Sequence, residues 1–555
     1  MRFHPWAGLL LTQLYAASAM GYDPREATIA STQHSLYTGL TTCREVVSSF
    51  ISRIEELDHH TNSVLALNPH VLDEADACDA KLAANNGTYG AMFGIPVLLK
   101  DNYDTANMPT TGANLDLAES QPSIDAPSVR ALKKAGAIIL GKVNLHEMAL
   151  EGLSVSSLGG QTINPYDYTR TPGGSSGGTS AAIAASFAIW GTGTDTVNSL
   201  RSPASACSLF SCRPTRGLIS RAGVIPISYT QDTIGPIARS VEDVATAITV
   251  MSSIGYDSDD NVTALPPAGT WGKDYSASLT TGSLEGLRLG LLEGFFNRTN
   301  SSETTPVNEA MADATAALRA AGATIVPITD SLYNATTIGA ELDTQRYEYR
   351  ELVDAYLQNP NLRGKHPNSL AELYNETGNY LVIPSEYEYV NTALVSSTGN
   401  ESWQDHPSYA TVQRGIANLT LALQQTFTSN NLDAIIYPEQ KNLVVPIGAP
   451  SQSGRNGILA ALTGSPVVTV PVGFSPPAES APLGVPIGME ILGRPWTEER
   501  LLQIAYQFER LGRVRKTPQW AREEVEVREY RDVPIVKPDW GNIDAEAYPL
   551  STLGR

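Results

Sequence analysis

The stretch "TPGGSSGGTS", residues 171–180, decides how this chain is interpreted. It contains Gly-x-Ser-x-Gly in two registers, one centred on Ser175 and the other on Ser176, and this is the pattern of a nucleophile elbow. An elbow needs a strand that runs directly into the serine. The preceding residues, "NPYDYTRTP", are turn-forming instead. The pattern alone therefore does not identify the attacking serine.

Three other interpretations of the run are also disfavoured. A Ser-His-Asp triad in elbow order would use His366 or His406, but each precedes a proline in a polar segment and is typical of a loop histidine. A phosphate-binding loop needs a lysine after the glycines, and none follows. A flexible linker is disfavoured because an apolar, regular segment begins immediately after the run.

Lysine is an alternative base for a serine nucleophile, provided that burial keeps its amine neutral. Lys100 lies at the end of the apolar segment "GIPVLLKDN", residues 94–102, which suits a lysine with a lowered pKa. A strand-end lysine that reaches solvent and pairs with Asp101 is the structural alternative.

Short apolar runs alternate with helical patterns along the chain, which predicts an α/β fold with buried strands. The predicted strands include "GIPVLLK", "AIILGK" and "LRLGLLEG", and the predicted helices include "TTCREVVSSFISRIEELD", "VLDEADACDAKLAA", "APSVRALKKAG", "GTSAAIAASFAIW", "SVEDVATAITVMSSI" and "ERLLQIAYQFERL". We interpret residues 21–515 as one domain, with a polar, Tyr-rich helical insertion at about 330–420. Residues 516–555 are predicted to be an irregular charged tail.

The first twenty residues, "MRFHPWAGLLLTQLYAASAM", combine Arg2, an apolar segment and an Ala-Ser-Ala cleavage pattern. These features predict a signal peptide over residues 1–20 and a secreted protein, with an N-terminal helix of the mature fold as the alternative. No other run has the length needed to span a bilayer. Eight Asn-x-Ser/Thr sequons are candidate glycosylation sites: Asn86, Asn261, Asn297, Asn300, Asn334, Asn375, Asn400 and Asn418.

The four cysteines allow three disulfide pairings, of which Cys43–Cys78 with Cys207–Cys212 is preferred. No histidine lies at ligand spacing from a close cysteine pair, so we expect no zinc or other metal. A net charge of −20 argues against a nucleic-acid partner. We expect no cofactor, and the oligomeric state stays open, with a homodimer as one alternative.

Several ordered motifs together resemble the amidase signature family. They are "GIPVLLKDN", "GGSSGG", "GTDTVNSLRSPA", "RPTRGLISRAGVIP", "DTIGPIARSVED", "LTGSPVVTVPVGF" and "PIGMEILGRPWTEERLL". The resemblance covers residues 28–515 and implies a mixed, twisted β-sheet with helices on both faces. With the signal peptide, it suggests a secreted member of fungal type that acts on a small-molecule amide.

The resemblance also implies roles for individual residues. Lys100 matches the general base and acid, Ser175 the proton relay that follows a cis peptide bond, and Ser199 the nucleophile. The expected chemistry is hydrolysis of an amide through an acyl-enzyme. Ser176, Asp195 and Arg201 are expected to support this site.

The oxyanion hole is expected from backbone N–H groups of Thr196, Val197, Asn198 and Ser199. Members of the family usually have two glycines where this chain has Val197 and Asn198. Because a β-branched valine resists positive φ, the departure leaves alternatives open. They are a shifted loop geometry, a narrower fit of the substrate against these side chains, and weak activity. Two functional alternatives to hydrolysis also stay open: a biosynthetic enzyme that transfers the acyl group, and a weakly active or non-catalytic binding protein on the same fold.

Overall fold

The computed structural model describes residues 22–84, 89–375 and 402–539. Its helices are α1 (Ile29–Tyr37), α2 (Cys43–Leu57), α3 (Val71–Ala84), α4 (Pro127–Lys134), α5 (Gly177–Ala184), α6 (Arg201–Ala206), α7 (Val241–Ser252), α8 (Thr305–Ala320), α9 (Ala335–Leu342), α10 (Gln345–Leu357), α11 (Leu370–Asn375), α12 (Tyr409–Ser429), α13 (Ile458–Thr463) and α14 (Glu498–Gly512). The predicted signal peptide, Asn86 and Asn400 lie outside the described residues, as does the side chain of Asn375.

The strands are β1 (Val64–Leu67), β2 (Pro96–Lys100), β3 (Gln121–Pro122), β4 (Ile138–Val143), β5 (Val155–Ser156), β6 (Gly160–Gln161), β7 (Trp190–Asp195), β8 (Phe210–Arg213), β9 (Thr233–Ala238), β10 (Arg288–Leu292), β11 (Thr324–Ile328), β12 (Leu362–Arg363), β13 (Ala434–Pro438), β14 (Val467–Phe474) and β15 (Pro486–Leu492). Eleven of them form one sheet in the order β1-β4-β2-β7-β9-β8-β14-β15-β13-β10-β11. The strands β4, β2 and β7 run parallel, as do β13, β10 and β11, and the remaining pairs are antiparallel.

The central strands are buried along their whole length. Every residue of β2, β4, β7, β9 and β15 is buried. Because successive side chains of a strand point to opposite faces, complete burial requires cover on both faces of the sheet. The predicted α/β fold with a mixed sheet is confirmed.

One helix is shorter than its sequence pattern predicts. The pattern of "GTSAAIAASFAIW" predicts a single helix, but α5 ends at Ala184 and the last residue of the run, Trp190, begins β7. Ser186 has a φ of 60°, so the chain reverses direction there. This short helix and the strand that follows it place the Gly/Ser run beside β7, in the middle of the sheet.

The helices α9 to α12 follow Asn334, and α10 contacts the residues that precede β9. Beyond α14 the chain is irregular up to residue 539 except for a turn at Trp520–Arg522. This segment is held against α2, because the Arg53 guanidinium donates to the carbonyls of Ala521 at 2.8 Å and Glu523 at 3.0 Å. Among the described residues no helix is both long and apolar enough to cross a membrane.

Only one of the two preferred disulfides is present. Cys43 and Cys78 are bonded and join α2 to α3. The predicted Cys207–Cys212 bond is wrong, because both cysteines are free and fully buried. The Cys207 thiol donates to the Pro172 carbonyl at 3.6 Å, whereas Cys212 lies in β8 opposite Val468 of β14. Burial raises the pKa of both thiols well above its usual value, which keeps them protonated.

Candidate active site

Lys100 ends β2 inside the protein rather than at its surface. Its side chain is 0% exposed, and Nζ lies 2.7 Å from Ser175 Oγ and 2.7 Å from Thr194 Oγ1. Burial holds the pKa of Lys100 well below its ordinary value, an effect that outweighs the opposing influence of Asp195 and Asp232. A neutral amine at this distance from a hydroxyl can accept its proton.

The neighbouring buried lysine does pair with Asp101. It is Lys142, on β4, whose Nζ lies 3.0 Å from Asp101 Oδ1 and also donates to the carbonyls of Tyr103 and Pro109. The alternative interpretation of Lys100, a surface lysine paired with Asp101, is therefore wrong.

The Gly/Ser run is shaped by close backbone packing. A Cβ added at Gly178 would lie 2.1 Å from the Asn144 carbonyl oxygen, and one added at Gly173, where φ is 70°, would lie 2.9 Å from the Ser202 carbonyl oxygen. The Gly174–Ser175 peptide bond is cis. The Ser175 carbonyl accepts from the His146 N–H at 3.0 Å, which holds the serine in place. Glycine is thus required for packing, and the run is no flexible linker.

Ser199 and Ser176 occupy the adjoining loop and turn. Ser199 is 8% exposed, and its carbonyl accepts from the Ser176 N–H at 3.3 Å. The Ser176 hydroxyl accepts from the Thr194 N–H at 3.3 Å, so Ser176 connects the Gly/Ser run to β7. Lys100, Ser175, Ser176 and Ser199, which are distant in the sequence, are thereby brought together.

The loop from Thr196 to Ser199 keeps its N–H groups available. None of these four residues has a positive φ, and none of their N–H groups donates to a backbone carbonyl of the described residues. Valine at position 197 is therefore accommodated without left-handed backbone geometry. Consecutive N–H groups of this kind can bind the oxyanion of a tetrahedral intermediate.

The side chain of Asn198 is hydrogen-bonded to a buried acid, Glu439. Its Nδ2 donates to Glu439 Oε1 at 2.9 Å. Burial and the nearby carboxylate of Glu490 raise the pKa of Glu439 above its usual range. A Cβ at Gly457 would lie 2.4 Å from Asn198 Cβ, so Gly457 is needed for the loop to pack here.

Asp195 and Arg201 fix the base of the loop. Asp195 accepts from Arg201 Nε at 3.0 Å and from Arg213 at 2.6 Å, and it caps the Leu200 N–H at 3.1 Å. Burial alone would raise the pKa of Asp195, but the two guanidiniums outweigh it and lower the pKa to about 2. Arg201 also pairs with Glu490 at 2.7 Å and donates to the Val197 carbonyl. Both residues therefore position the loop.

Comparison with known proteins identifies the family. The model of the family described as Amidase matches residues 45–502. The chain belongs to this family. A glutamyl-tRNA(Gln) amidotransferase subunit from Acinetobacter baumannii is 32% identical over 481 residues, which cover 84% of this chain and 92% of that protein.

Solved structures of the amidase family share the fold. Native peptide amidase from Stenotrophomonas maltophilia superposes with a TM-score of 0.76 at 32% identity, over 89% of this chain and 98% of that one. An amidase family protein from Bacillus anthracis superposes with a TM-score of 0.76 at 26% identity, over 93% and 96% of the two chains. The protein is thus an amidase family enzyme.

A cavity of about 280 Å³ adjoins the amidase site. Thr194 and Thr196 are among its lining residues. The Thr194 hydroxyl is bonded to Lys100, and the Thr196 N–H is the first of the predicted oxyanion donors. Apolar walls come from Ile225, Ile227 and Leu352 among others. The volume is near the small end of the usual range for ligand sites, so the cavity has room for a small ligand.

Sequence reasoning missed Thr194, although a signal for it exists. In "GTGTDT", residues 191–196, threonine recurs at every second position, which is the period of a strand. Thr192 Oγ1 accepts from the Lys100 N–H at 3.1 Å, and Thr196 Oγ1 donates to Asp232 at 2.6 Å. Thr192 and Thr194, on one face of β7, therefore contact Lys100, and Thr196, which follows the strand, contacts Asp232. The alternation of threonines could have predicted both the strand and the face that carries them.

Proposed function

We propose that the protein hydrolyses a small-molecule carboxylic amide through an acyl-enzyme on Ser199. The observation that carries this proposal is the fully buried Lys100 amine, 2.7 Å from Ser175 Oγ. In the proposed mechanism, neutral Lys100 takes a proton from Ser175, which takes one from Ser199 as the Ser199 oxygen attacks the amide carbonyl. N–H groups of Thr196–Ser199 stabilise the oxyanion. The proton returns to the leaving amine, and water then hydrolyses the ester.

Active-site labelling tests this assignment of roles. Ser199→Ala is expected to abolish both amide turnover and labelling by a fluorophosphonate, whereas Ser176→Ala, the matched control in the same turn, keeps measurable labelling. Label that persisted on Ser175 in the Ser199→Ala variant would refute the choice of nucleophile. A folded wild-type protein that took up no label and turned over no amide would favour the binding-protein alternative.

Acyl transfer is the second candidate function, and the similarity to a component of an amidotransferase favours it. In that case an amine, rather than water, accepts the acyl group from Ser199. Adding ordinary amines to a turnover reaction distinguishes the two, because a transferase gives mainly the new amide and a hydrolase gives mainly the acid. A panel of amides that differ in acyl length and aromaticity then defines the substrate that the cavity accepts.

We also propose that the protein is secreted, with the leader removed. The Cys43–Cys78 disulfide suits an oxidising compartment. Five of the predicted sequons lie on exposed asparagines: Asn261, Asn297, Asn300, Asn334 and Asn418. The expected results are a mature N-terminus near residue 21 by mass spectrometry and a loss of mass on endoglycosidase treatment. Retention of the protein inside cells with its leader attached would refute secretion. The assignment to a fungal type stays a prediction, since the relatives named above are bacterial.

A further inference from the structure

We propose that Gln231 and Glu348 are positioning residues that orient the oxyanion-hole loop through Thr196. This inference rests on the proposed function, because it assigns these two residues a task in the same acyl transfer to Ser199. Neither residue lines the cavity. Both are buried, with exposed fractions of 0% for Glu348 and 0% for Gln231.

Thr196 is held at two points by the segment that precedes β9. Strands β7 and β9 pair antiparallel with Asp195 opposite Thr233, so Thr196 leaves the sheet beside Asp232. Its hydroxyl donates to Asp232 Oδ1 at 2.6 Å. Its carbonyl accepts from Gln231 Nε2 at 3.3 Å. Both side-chain and main-chain oxygens of the same loop residue are therefore fixed.

The hydrogen bond to the carbonyl matters for the oxyanion. The Thr196 carbonyl and the Val197 N–H belong to one planar peptide unit, in which they point in opposite directions. An interaction that fixes the carbonyl therefore also fixes the direction of the N–H. Gln231 thus sets the orientation of one expected oxyanion donor without contacting the substrate.

Helix α10 in turn holds Gln231. The N–H and hydroxyl of Thr344, which precedes the helix, both donate to Gln231 Oε1 at 2.8 Å. Glu348, one turn into the helix, accepts from the Thr230 N–H at 3.1 Å, from Thr230 Oγ1 at 2.5 Å and from the Ser228 hydroxyl. Ser228, Thr230 and Gln231 are therefore held by α10 and by Thr344 at its start.

The carboxylate of Glu348 also connects to α12. The Tyr409 hydroxyl donates to Glu348 Oε1 at 2.6 Å. A carboxylate is an acceptor only, and here each oxygen receives bonds from donors on several elements. Replacing it by an amide leaves one acceptor oxygen instead of two, so the donors bonded to the lost oxygen have no acceptor and residues 228–231 would shift. The helices after residue 334 consequently act on the reaction through a chain of contacts.

The experiment compares two glutamates of the same helix. Glu348→Gln removes one of the two acceptor oxygens that hold residues 228–231, and Gln231→Ala removes the link to Thr196 directly. Glu351→Gln is the matched control, because Glu351 accepts from the Ser402 hydroxyl at 3.2 Å and the Trp403 N–H at 3.1 Å, away from the loop. The readouts are kcat, KM, the melting temperature and inhibition by an aldehyde analogue of the best amide substrate.

Loss of a full oxyanion donor lowers kcat by about 10²–10³-fold, so a misdirected donor should lower it by roughly 10-fold or more. We expect this loss in both Glu348→Gln and Gln231→Ala, with KM little changed and with aldehyde binding weakened in parallel, whereas Glu351→Gln keeps the wild-type kcat. Unchanged kcat in the folded Gln231→Ala variant, or an equal loss in Glu351→Gln, would overturn the proposal. Absence of fluorophosphonate labelling in the wild-type protein would instead overturn the proposed function.

Discussion

Replacing Lys100 by methionine separates catalysis from stability. Methionine fills the space of the buried aliphatic chain but carries no base, so Ser175 loses its proton acceptor. General-base catalysis contributes typically 10²–10⁴-fold, and we expect the rate of fluorophosphonate labelling at Ser199 to fall by about that factor. The fold should tolerate the change, because the Thr194 hydroxyl that loses Lys100 keeps its contact with Asn102 Nδ2 at 3.2 Å.

The stability of the wild type relative to this variant depends on pH. The pKa of Lys100 is lowered in the folded state from an ordinary value of 10.5, so the unfolded chain binds more protons between the two pKa values. The free energy of unfolding of the wild type is therefore fully retained above pH 10.5 and declines as the pH falls towards the folded pKa. Lys100→Met lacks this penalty, so the variant should gain stability relative to the wild type as the pH falls through that window.

The assay is a labelling rate measured across pH, with chemical denaturation of both proteins over the same range. In the wild type the rate should rise about tenfold per pH unit below the folded pKa of Lys100 and level off above it, as expected for a single base. In Lys100→Met this rise should be absent. A variant that labels at the wild-type rate, or that keeps the same pH profile, would refute the role of Lys100 as the base.

Three further predictions concern neighbouring contacts. Lys142→Met should destabilise the fold by about 3–5 kcal/mol in denaturation experiments, because it leaves the buried Asp101 carboxylate without its partner; stability like that of the wild type would contradict this. Cys78→Ser opens a 35-residue loop closed by Cys43 and should cost about 3–4 kcal/mol, and added reductant should lower the melting temperature of the wild type but not of the variant. Thr194→Val removes one of two hydroxyls that contact the buried amine and should lower the labelling rate without unfolding the protein, which circular dichroism checks; an unchanged rate would show that this hydroxyl is dispensable.

Much of the fold is predictable where hydrophobic spacing is regular. The segment predicted as a helix at "VLDEADACDAKLAA" is α3 over its whole length, and "SVEDVATAITVMSSI" contains α7, which Ser240 caps. The strand β7 escaped prediction because glycines, which have low strand propensity, separate the threonines of "WGTGTD", and because an alanine-rich run of helical pattern precedes it. Tertiary packing favours glycine at position 191, because a Cβ there would lie only 3.0 Å from the Leu98 carbonyl oxygen on β2.

In the candidate site, too, some residues are predictable from the sequence and others are not. The spacing of family motifs is enough to name Lys100, Ser175 and Ser199, which the structure brings to one place. Contacts between distant parts of the chain cannot be predicted in this way, since nothing local in the sequence marks Gln231 as a partner of Thr196 or Glu348 as a partner of Ser228. The same limit explains the wrong Cys207–Cys212 pairing, because closeness in sequence does not show that two thiols pack in separate places.

The hydrogen bond between Asn198 and Glu439 gives position 198 a partner far along the chain. A glycine at 198 would supply no donor, so the buried acid at 439 would stand without its amide. Lineages that carry glycine at 198 should therefore have lost the acid at 439, and the two changes should appear on the same branches of a family tree. A broad survey that found glycine and the acid together as often as chance allows would show that the two positions evolved independently.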